Sequence, residues 1–585
     1  MLLIRLILTL FVLFSFNSLA QDVDDAVKEK QRQRTLLLEQ IISDVPELKL
    51  PENRAYVYAQ TGNLMRQTDA KRARELFQNS VNELITAQTS AEADKKNAPY
   101  LYDLLNSQSL RPQILQIIAY QDAEFALESF YKTRPSNISK ALAGFQGNSS
   151  EKVSGNQRLQ VNLSFAQNEI NLEQRLLTYA ADQNPERAVK LLEKSLDKGI
   201  TGETLNSLKK LQVKDAAKAQ EILSEVTRKL LKFDYNFSNQ NNNVYYSHFS
   251  AALIFLSEFI REKSKDENAL RFDEGQFTNL ADIIISALIK TDNPNAAYFI
   301  SSLIPIAKKL FPNRVEILKQ KQSKLSRYQR GDFGYNPEAT ELLQSDTAPE
   351  KLLSEADKFP SYIRTQIYQR AANKYAEQGN AALAEKILND NLSDEELENA
   401  LNNLIWQKTN KAINEGNFNI ALELINQLPE NMRVNSLLSL ADNIYQKNPQ
   451  ENKSFAVSVL EQARALTGDK PKNSTEMNYL LQIISKYSHI EPGEGFRLFE
   501  PLISQINELS EAAVLLSGFN GNSQIRQGEM TFMNGNAIGV YLGEIDTPLR
   551  SLAKADFSRT MQIIERFQRR ETRISLRLKL AETMN

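Results

Sequence analysis

The chain has 585 residues, no cysteine, and 70 basic against 72 acidic side chains, a formal net charge of −2. This near-neutrality excludes the strongly basic surface that a nucleic-acid-binding domain normally carries. The lack of cysteine excludes disulfides and cysteine-ligated zinc, so apolar burial alone has to stabilise the fold.

The first twenty residues have the organisation of a secretory signal peptide. A single cation, Arg5, precedes an apolar run from Leu6 to Phe16, and the small residues Ser18 and Ala20 come just before Gln21. This order predicts cleavage after Ala20 and a secreted or periplasmic bacterial protein, with no stable membrane insertion of the mature protein. The alternative is an uncleaved anchor, because the stretch from Leu2 to Phe16, with only Arg5 inside it, nearly reaches the ~17 residues of a short membrane span.

The rest of the sequence has the spacing of an all-α repeat protein. Glycine and proline are scarce, at 20 and 18 residues, and apolar residues recur at helical spacing. Some alanines have apolar residues at the third and fourth positions after them: Ala73, Ala188, Ala219, Ala384, Ala421 and Ala456. The last three alanines are 37 and 35 residues apart. A period near 35 fits two helices and two turns.

A second recurrent element is an arginine eight residues ahead of an alanine, at Arg111, Arg364, Arg433 and Arg573. The interval from Arg364 to Arg433 is 69 residues and the next is 140, close to two and four periods. An arginine-led helix followed by an alanine-led helix makes one hairpin. We expect stacked antiparallel hairpins that form a curved α-solenoid, in which the small alanine lets neighbouring helices approach closely.

The repeat arginines stand in the first turn of their helices, where the helix dipole disfavours a cation. We therefore expect them to pack between hairpins and to pair with a carboxylate or a helix-end carbonyl, with Glu423 as a candidate partner for Arg433. The same alignment places a turn at residues 568–572. It predicts that the five C-terminal arginines do not form one basic stripe: Arg566, Arg569, Arg570, Arg573 and Arg577.

Breaks in the helical pattern suggest the domain organisation. Residues 134–157, 233–246 and 467–475 are predicted loops, and residues 331–350 are a predicted linker, with Gly331 and Pro337 inside it. The linker separates helical-repeat regions at 21–330 and 351–585, which follow the signal peptide at 1–20. A capping box is expected at Ser393–Glu396, because the run Ser-Asp-Glu-Glu has the side chains for it.

One segment near residues 528–542 departs from the helical pattern. The stretches Glu529–Met533 and Asn536–Leu542 flank Asn534-Gly535. That dipeptide is typical of a two-residue hairpin turn, which needs positive φ at both positions. We expect a small β-hairpin here.

Two turn sequences carry a family resemblance. Gly379-Asn380-Ala381-Ala382-Leu383-Ala384 and Gly416-Asn417-Phe418-Asn419-Ile420-Ala421 resemble the turn and second-helix start of a tetratricopeptide repeat. The first-helix tryptophan and glycine of that family are missing, which makes these repeats divergent. Residues 556–581 resemble the closing unit of secreted bacterial helical-repeat proteins. The resemblance implies helical hairpins and supplies no activity.

No motif in the sequence predicts a catalytic, cofactor-binding or metal-ligating residue, and no cofactor is expected. The two histidines, His248 and His489, are 241 residues apart. Ser195 to Lys198 and Ser207 to Lys210 satisfy Ser-x-x-Lys, but its companion motifs are absent. One aromatic cluster could stack on sugar rings but is more typical of a packed loop base: Tyr235, Phe237, Tyr245, Tyr246, His248 and Phe249.

The fold rather than a site indicates the function. A stacked-hairpin protein presents a long surface, and the fold-level analogy predicts a scaffold that binds a protein or peptide partner in the cell envelope. One alternative is a secreted all-α carbohydrate-active enzyme, whose carboxylate pair would be set only in three dimensions. Another is a purely structural envelope protein.

Overall fold

The computed structural model describes residues 28–93, 110–136, 157–235, 243–261, 269–329, 347–520, 525–532 and 539–584, with short pieces at 138–139, 142, 339 and 342–343. The predicted signal peptide, most of the predicted loop at 134–157 and most of the linker at 331–350 lie outside these residues. The protein forms two compact units, one of residues 50–336 and one of residues 337–585 with the segment before residue 50. No helix among the described residues is long and apolar enough to span a membrane.

Helix α1 covers residues 28–44 and belongs to the second of these units. The unit of residues 50–336, called here the central unit, contains α2 (Pro51–Met65), α3 (Ala70–Ala93), α4 (Leu110–Gln121), α5 (Ala123–Lys132), α6 (Gln157–Gln183), α7 (Pro185–Leu196), α8 (Gly202–Lys214), α9 (Ala216–Lys232), α10 (Asn243–Ile260), α11 (Glu274–Lys290), α12 (Ala296–Leu310) and α13 (Val315–Gln329).

The other unit, called here the terminal unit, continues with α14 (Pro349–Glu355), α15 (Ser361–Glu377), α16 (Ala381–Asn391), α17 (Asp394–Asn414), α18 (Phe418–Gln427), α19 (Glu430–Lys447), α20 (Pro449–Thr467), α21 (Ser474–Ile490), α22 (Pro492–Asn520), β1 (Ile525–Arg526), β2 (Glu529–Met530), α23 (Gly539–Ala555), α24 (Phe557–Glu565) and α25 (Arg570–Thr583). The predicted loop at 467–475 is confirmed. Helix α10 begins at Asn243, so the predicted loop at 233–246 is too long at its end.

Each unit is a two-layer stack of helical hairpins, which confirms the predicted fold class. The even-numbered helices α2 to α12 pack against one another in the central unit, and each also packs against the odd-numbered helix that follows it. In the terminal unit the odd-numbered helices α15 to α25 form the corresponding row. We call these rows the first layers and the intervening helices the second layers.

The repeat alanines lie where the layers meet. Ala73, Ala188, Ala219, Ala384, Ala421 and Ala456 all belong to second-layer helices, and all are buried. The alanines eight residues after the repeat arginines are buried on first-layer helices: Ala119, Ala372, Ala441 and Ala581. A methyl group at a helix crossing allows a short interaxial distance, so the hairpins can pack without voids.

In several hairpins a single Asp or Asn connects the two helices, a feature that the sequence did not predict. This residue accepts a hydrogen bond from the backbone N–H three residues later, and it adopts φ between −144° and −156° with ψ between 80° and 96°. In this way the residue that ends the first-layer helix also caps the second-layer helix. These residues are Asp122, Asn184, Asp215, Asn448 and Asp556.

The hairpins with the tetratricopeptide-like turns use glycine instead. Gly379 and Gly416 follow α15 and α17 and have φ of +87° and +76°. Left-handed backbone at a helix end is accessible to glycine at little cost. These two turns therefore require the glycine that carries the resemblance.

Arg111 has the most complete set of contacts among the repeat arginines. Its side chain is nearly fully buried, and its two terminal nitrogens donate to the Glu169 carboxylate at 2.8 and 3.1 Å. Its Nε donates to Thr133 Oγ1 at 3.1 Å, and Nη2 donates to the Phe130 carbonyl at 2.8 Å. The predicted pairing with a carboxylate and a helix-end carbonyl is confirmed here.

Arg433 and Arg573 bind only helix-end carbonyls at close range. Arg433 Nε donates to the Leu428 carbonyl at 2.6 Å, and Arg573 Nη1 donates to the Phe567 carbonyl at 2.6 Å. Leu428 is the C-cap of α18, and Phe567 lies in the turn after α24, so each arginine binds a carbonyl just past the end of a second-layer helix. The prediction that Glu423 is the partner of Arg433 is therefore wrong, because Arg433 binds the Leu428 carbonyl after α18 instead.

Arg364 departs from the pattern. Its guanidinium lies 3.9 Å from Asp357 Oδ1, and both side chains are exposed. The prediction of a buried pair is wrong at this repeat, which stands near the start of the stack in the terminal unit.

The five C-terminal arginines do not form a basic stripe. Helix α24 ends at Glu565 and α25 begins at Arg570, so a turn separates them as predicted, although it ends before the predicted limit of residue 572. All five make short contacts within the terminal unit: Arg566 with the Glu500 carbonyl, Arg569 with Glu511 and Glu571, Arg570 with Glu47, Arg573 with the Phe567 carbonyl, and Arg577 with Asp44 and Glu565.

A small hairpin is present, but not at the predicted dipeptide. Strands β1 and β2 are antiparallel, with Ile525 opposite Met530, and the turn is Gln527-Gly528 with φ of +52° and +72°. The predicted second strand is wrong at residues 539–542, which begin α23, and Asn534-Gly535 lies outside the described residues. The physical requirement for positive φ at both turn residues still holds.

The hairpin also binds the segment before residue 50. The Lys49 backbone N–H donates to Glu529 Oε2 at 2.6 Å, and Lys49 Nζ donates to the Gln527 carbonyl at 3.0 Å. Arg577 Nη1 donates to Asp44 Oδ2. Segments from near the two ends of the sequence therefore meet within the terminal unit.

The capping box predicted at Ser393 is wrong. The Ser393 hydroxyl makes no cap hydrogen bond, and Asp394 has a left-handed φ of +51°. The acidic first turn of α17 is present. A capping box does occur at Thr201 and Thr204, at the start of α8.

We expect Arg111→Met to lower the free energy of unfolding of the central unit by about 3–5 kcal/mol, because it leaves the Glu169 carboxylate buried without its main partner. Urea unfolding followed by circular dichroism measures this change. The matched control is Arg364→Met, which breaks an exposed pair and should cost under about 1 kcal/mol. Equal stability of the two variants would contradict the structural role of Arg111.

Candidate functional site

The Ser-x-x-Lys sequences do not form catalytic pairs. Ser195 is buried and accepts a hydrogen bond from Gln174 Nε2 at 3.3 Å, while Lys198 Nζ donates to both Glu173 oxygens at 2.7 and 2.8 Å. Ser207 is also buried, with its Oγ 2.9 Å from Thr178 Oγ1. Neither serine meets a lysine that could act as its base.

Two buried carboxylates stand one helical turn apart on α6, Glu169 and Glu173. Arg111 and Arg134 neutralise Glu169, and Lys198 neutralises Glu173. The Tyr131 hydroxyl donates to Glu173 Oε1 at 2.8 Å, and burial together with this carboxylate raises the pKa of Tyr131. Every carboxylate oxygen is thus engaged by the protein itself, as in a structural charge network.

The aromatic cluster near residue 248 belongs to the core. Tyr235 and Phe249 are buried, and the Tyr235 hydroxyl donates to the Leu230 carbonyl at 3.0 Å. His248 is buried and stacks on Phe233 with a centroid distance of 4.6 Å. The packed-base interpretation is confirmed for these residues. Phe237 and the side chains of Tyr245 and Tyr246 lie outside the described part of the protein.

The other histidine, His489, is exposed and meets Tyr445 edge-on at 5.5 Å. Within the described residues, no group of three or more histidine and acidic side chains is placed to hold a metal ion.

The terminal unit has an open cleft of about 340 Å³ with two carboxylates at its wall. Asp44 and Glu565 both pair with Arg577, which lies between them, and the remaining lining residues are Gln40, Ser43, Met561 and Gln562. The guanidinium holds each carboxylate in an ion pair. This cleft is the closest match to the carboxylate pair of the enzyme hypothesis.

Carboxamide side chains recur at equivalent positions of the first-layer helices in the terminal unit. Each of the helices α15, α17, α19 and α21 is followed by a turn residue, respectively Gly379, Gly416, Asn448 and Glu491. Thirteen residues before its turn residue, each of the four helices has a carboxamide side chain: Gln366, Asn403, Asn435 and Asn478. We call these four residues the carboxamide row.

The carboxamide row is available at the surface. Gln366, Asn403 and Asn435 are exposed and Asn478 is half-buried, with its Oδ1 lacking a hydrogen-bond partner. The Tyr479 hydroxyl donates to the Asn431 carbonyl at 2.9 Å, which ties α21 to α19 beside the row. Adjacent first-layer helices pack together, so the four carboxamides follow one another across the unit.

One helical turn before the carboxamide row stand Tyr362, Asn399, Asn431 and Ser474, and about one turn after it stand Gln369, Trp406, Ser439 and Gln482. Arg370 also lies one turn after Gln366, so the surroundings of the row include a charge. Trp406, the single tryptophan of the protein, is 42% exposed. We call the row and its eight uncharged neighbours the carboxamide face.

A second exposed surface lies on the distal half of α22. Leu509, Leu515 and Leu516 are 43%, 74% and 61% exposed, whereas Phe499 and Ile503 in the proximal half are buried. Leu509 and Leu516 are seven residues apart and so share one side of the helix. We call the three leucines the apolar ridge.

The sequence analysis missed both surfaces. The carboxamide row becomes visible in the sequence only when the repeats are aligned on their turn residues, because the spacing between the four carboxamides varies from 32 to 43 residues. The apolar ridge has no sequence signal, because apolar residues recur in both the buried and the exposed half of α22.

Comparisons with known proteins find similarity only among solved structures. No family model matches the sequence, and no curated protein matches it. Among solved structures, the protein is similar to a circular tandem repeat protein described as having a novel repeat topology and enhanced subunit contact surfaces. The identity is 11%, the match covers 94% of this protein and 98% of the other, and the TM-score is 0.17.

We expect the fluorescence excited at wavelengths beyond the tyrosine absorption band to report Trp406 alone, with an emission maximum between those of a buried and a fully hydrated indole. Acrylamide should quench it readily, because the ring is partly exposed. Trp406→Phe is the control and should remove the signal while leaving the circular dichroism spectrum unchanged. A blue-shifted emission that resists quenching would contradict the exposure of this face.

Proposed function

We propose that the protein is a secreted scaffold that binds a protein partner in the bacterial cell envelope. The apolar ridge carries this proposal. Exposed apolar groups on one face are typical of interaction sites, because covering them releases water at a gain of roughly 25 cal/mol per Å². The partner would cover the three leucines of α22.

The surroundings of the ridge suggest the character of the partner. Glu508 and Glu511 flank the leucines on the same helix, and Glu511 pairs with Arg569 at 2.9 Å. An apolar centre with an acidic rim fits a partner whose apolar residues are bordered by basic ones. The stacked hairpins supply a rigid support for such a surface.

The repeats themselves are proposed to be divergent tetratricopeptide-like hairpins. The left-handed glycines Gly379 and Gly416 support this assignment for two repeats. Several of the other hairpins use the Asp or Asn turn in place of the glycine.

The enzyme alternative would depend on the cleft beside Arg577. Catalysis by a carboxylate pair needs one protonated acid and one free carboxylate. Both Asp44 and Glu565 are engaged in ion pairs with Arg577, which lies between them, and this arrangement opposes a carboxylate pair that is free to act on a substrate. The purely structural alternative differs from the scaffold only in having no partner.

Replacement of Leu515 and Leu516 by glutamine should remove the partner. Exposed leucines contribute nothing to the core, so the variant should fold normally, while loss of an interface anchor costs about 2 kcal/mol or more of binding. The measurement is a pull-down with crosslinking from the native envelope, followed by titration of the recovered partner.

The matched control is Val213→Gln, which replaces an equally exposed apolar residue of the central unit. Retention of the same stoichiometric partner by the ridge variant would contradict the proposed site. Cleavage of envelope glycans by the purified protein would support the enzyme alternative instead.

Export of the protein predicts a defined N-terminus after removal of the signal peptide. The processed protein should begin at Gln21, because signal peptidase cuts after small residues such as Ala20. N-terminal sequencing of protein recovered from the envelope decides this, and retention of Met1 would indicate an anchored protein.

A further inference from the structure

We infer that the distal half of α22 is also a self-association site, where two copies of this protein pair antiparallel through their α22 helices when no envelope partner is bound. This pairing goes beyond the proposed function, because the occupant is a second copy of the protein. Three features of α22 support it: its length, the order of its exposed apolar residues and the position of its carboxylates.

The distal half of α22 extends past the helix before it. Helix α22 has 29 residues, whereas α21 has 17. Gln505 Nε2 donates to the Pro471 carbonyl at 2.8 Å, so at this point α22 lies beside the chain ahead of Ser474, where α21 begins. On the buried side of α22, Asn507 forms hydrogen bonds with the turn after α24. The opposite side of this overhang carries the exposed leucines and can receive a second helix.

Four residues of the overhang have the same order in both chain directions. Leu509, Ala512, Ala513 and Leu516 are spaced by three, one and three residues. Steps of three, four and seven residues stay on one side of a helix, so the four residues form a stripe, called here the seam. Leu509, Ala512 and Leu516 are exposed and Ala513 is half-buried.

An antiparallel copy of the seam matches it residue for residue. Leu509 of one copy meets Leu516 of the other, and the two-fold axis passes between Ala512 and Ala513. Small side chains at the crossing let the two helices approach closely, and the leucines at either end fill the space beside them. Such a contact uses the same surface of both copies and closes after two of them.

The carboxylates of α22 favour the antiparallel orientation. Glu508 comes directly before the seam, and a parallel pair would place the two copies of this carboxylate side by side. In the antiparallel pair they are separated by about 13 Å along the helix axis, more than the Debye length of about 8 Å at physiological salt. Glu511 is already neutralised by Arg569 at 2.9 Å.

The small contact area makes the pair weak and exchangeable. The overhang from Gln505 to Asn520 is about 22 Å long, so with a helix width of about 10 Å it offers roughly 220 Å². A stable interface buries about 800 Å² on each partner. An envelope partner that adds a basic residue opposite Glu508 therefore displaces the second copy, which supplies no such charge.

The decisive test uses the lack of cysteine in this protein. A single cysteine can form a disulfide only with a second copy, and only where the two Cα atoms come within about 7 Å. Ala512→Cys places it next to the two-fold axis, so mild oxidation of the full-length protein should give a covalent dimer. Leu509→Cys alone should stay monomeric, because its two copies lie at least about 10 Å apart. A mixture of the Leu509→Cys and Leu516→Cys proteins should form the mixed dimer.

Sedimentation equilibrium tests the pair without a crosslink. The apparent mass of the parent protein should rise with protein concentration toward that of two chains. Leu509→Gln with Leu516→Gln should raise the dissociation constant by about tenfold or more, because it removes both ends of the seam. Both leucines are exposed, so this variant should fold, which circular dichroism checks. The matched control for crosslinking is Val213→Cys, an equally exposed position of the central unit that should give no dimer.

Several outcomes would overturn the proposal. These are the mass of one chain at every concentration, failure of Ala512→Cys to crosslink, and crosslinking of Leu509→Cys with itself. Equal crosslinking of Val213→Cys would indicate random collision and would overturn it as well. The experiments use the purified protein alone, so their failure leaves the envelope partner unaffected. Absence of that partner in turn leaves the dimer unaffected, so the two proposals fail separately.

Discussion

The structure depends on close packing at helix crossings, because the protein has no disulfide to hold it together. A hairpin of two helices leaves an apolar face that only the next hairpin can cover. The alanines at these crossings, such as Ala384 and Ala421, allow the contact, and larger neighbours such as Leu388 and Ile425 fill the space around them. Stability therefore accumulates along each stack and does not come from one central core.

Turns and arginines keep the hairpins in a common register. The Asp or Asn turn ends one helix and caps the next within one residue, so it leaves little freedom in the relative position of the two helices. Arg433 and Arg573 then bind carbonyls at the end of the preceding hairpin, and these bonds join one repeat to the next. A constant register has a functional consequence, because equivalent positions of successive helices come to the same surface. The carboxamide row exists only because this register is kept across four hairpins.

The ionisable groups around Glu169 and Glu173 are engaged with one another. Glu169 and Glu173 are both paired with cations, and Ser195 bonds an amide in place of a base. Such networks specify how neighbouring helices meet, and they leave no reactive group of this cluster open to a substrate. The apolar ridge of α22, by contrast, stays open at the surface.

The sequence by itself determined the helical class, the two-helix repeat and the burial of its alanines. These follow from local periodicity, which is a property of neighbouring residues. It also separated the C-terminal arginines into two helices, because the repeat alignment places a turn between them. Contacts between distant segments could not be read in the same way. The carboxylate that pairs with Arg111 stands 58 residues away in the sequence. The turn of the β-hairpin forms at Gln527, whose carbonyl binds Lys49 from the other end of the sequence. Exposed surfaces that helices of different repeats share appear only where those helices lie side by side. Sequence patterns report which residues are buried, whereas tertiary packing decides which exposed residues become neighbours.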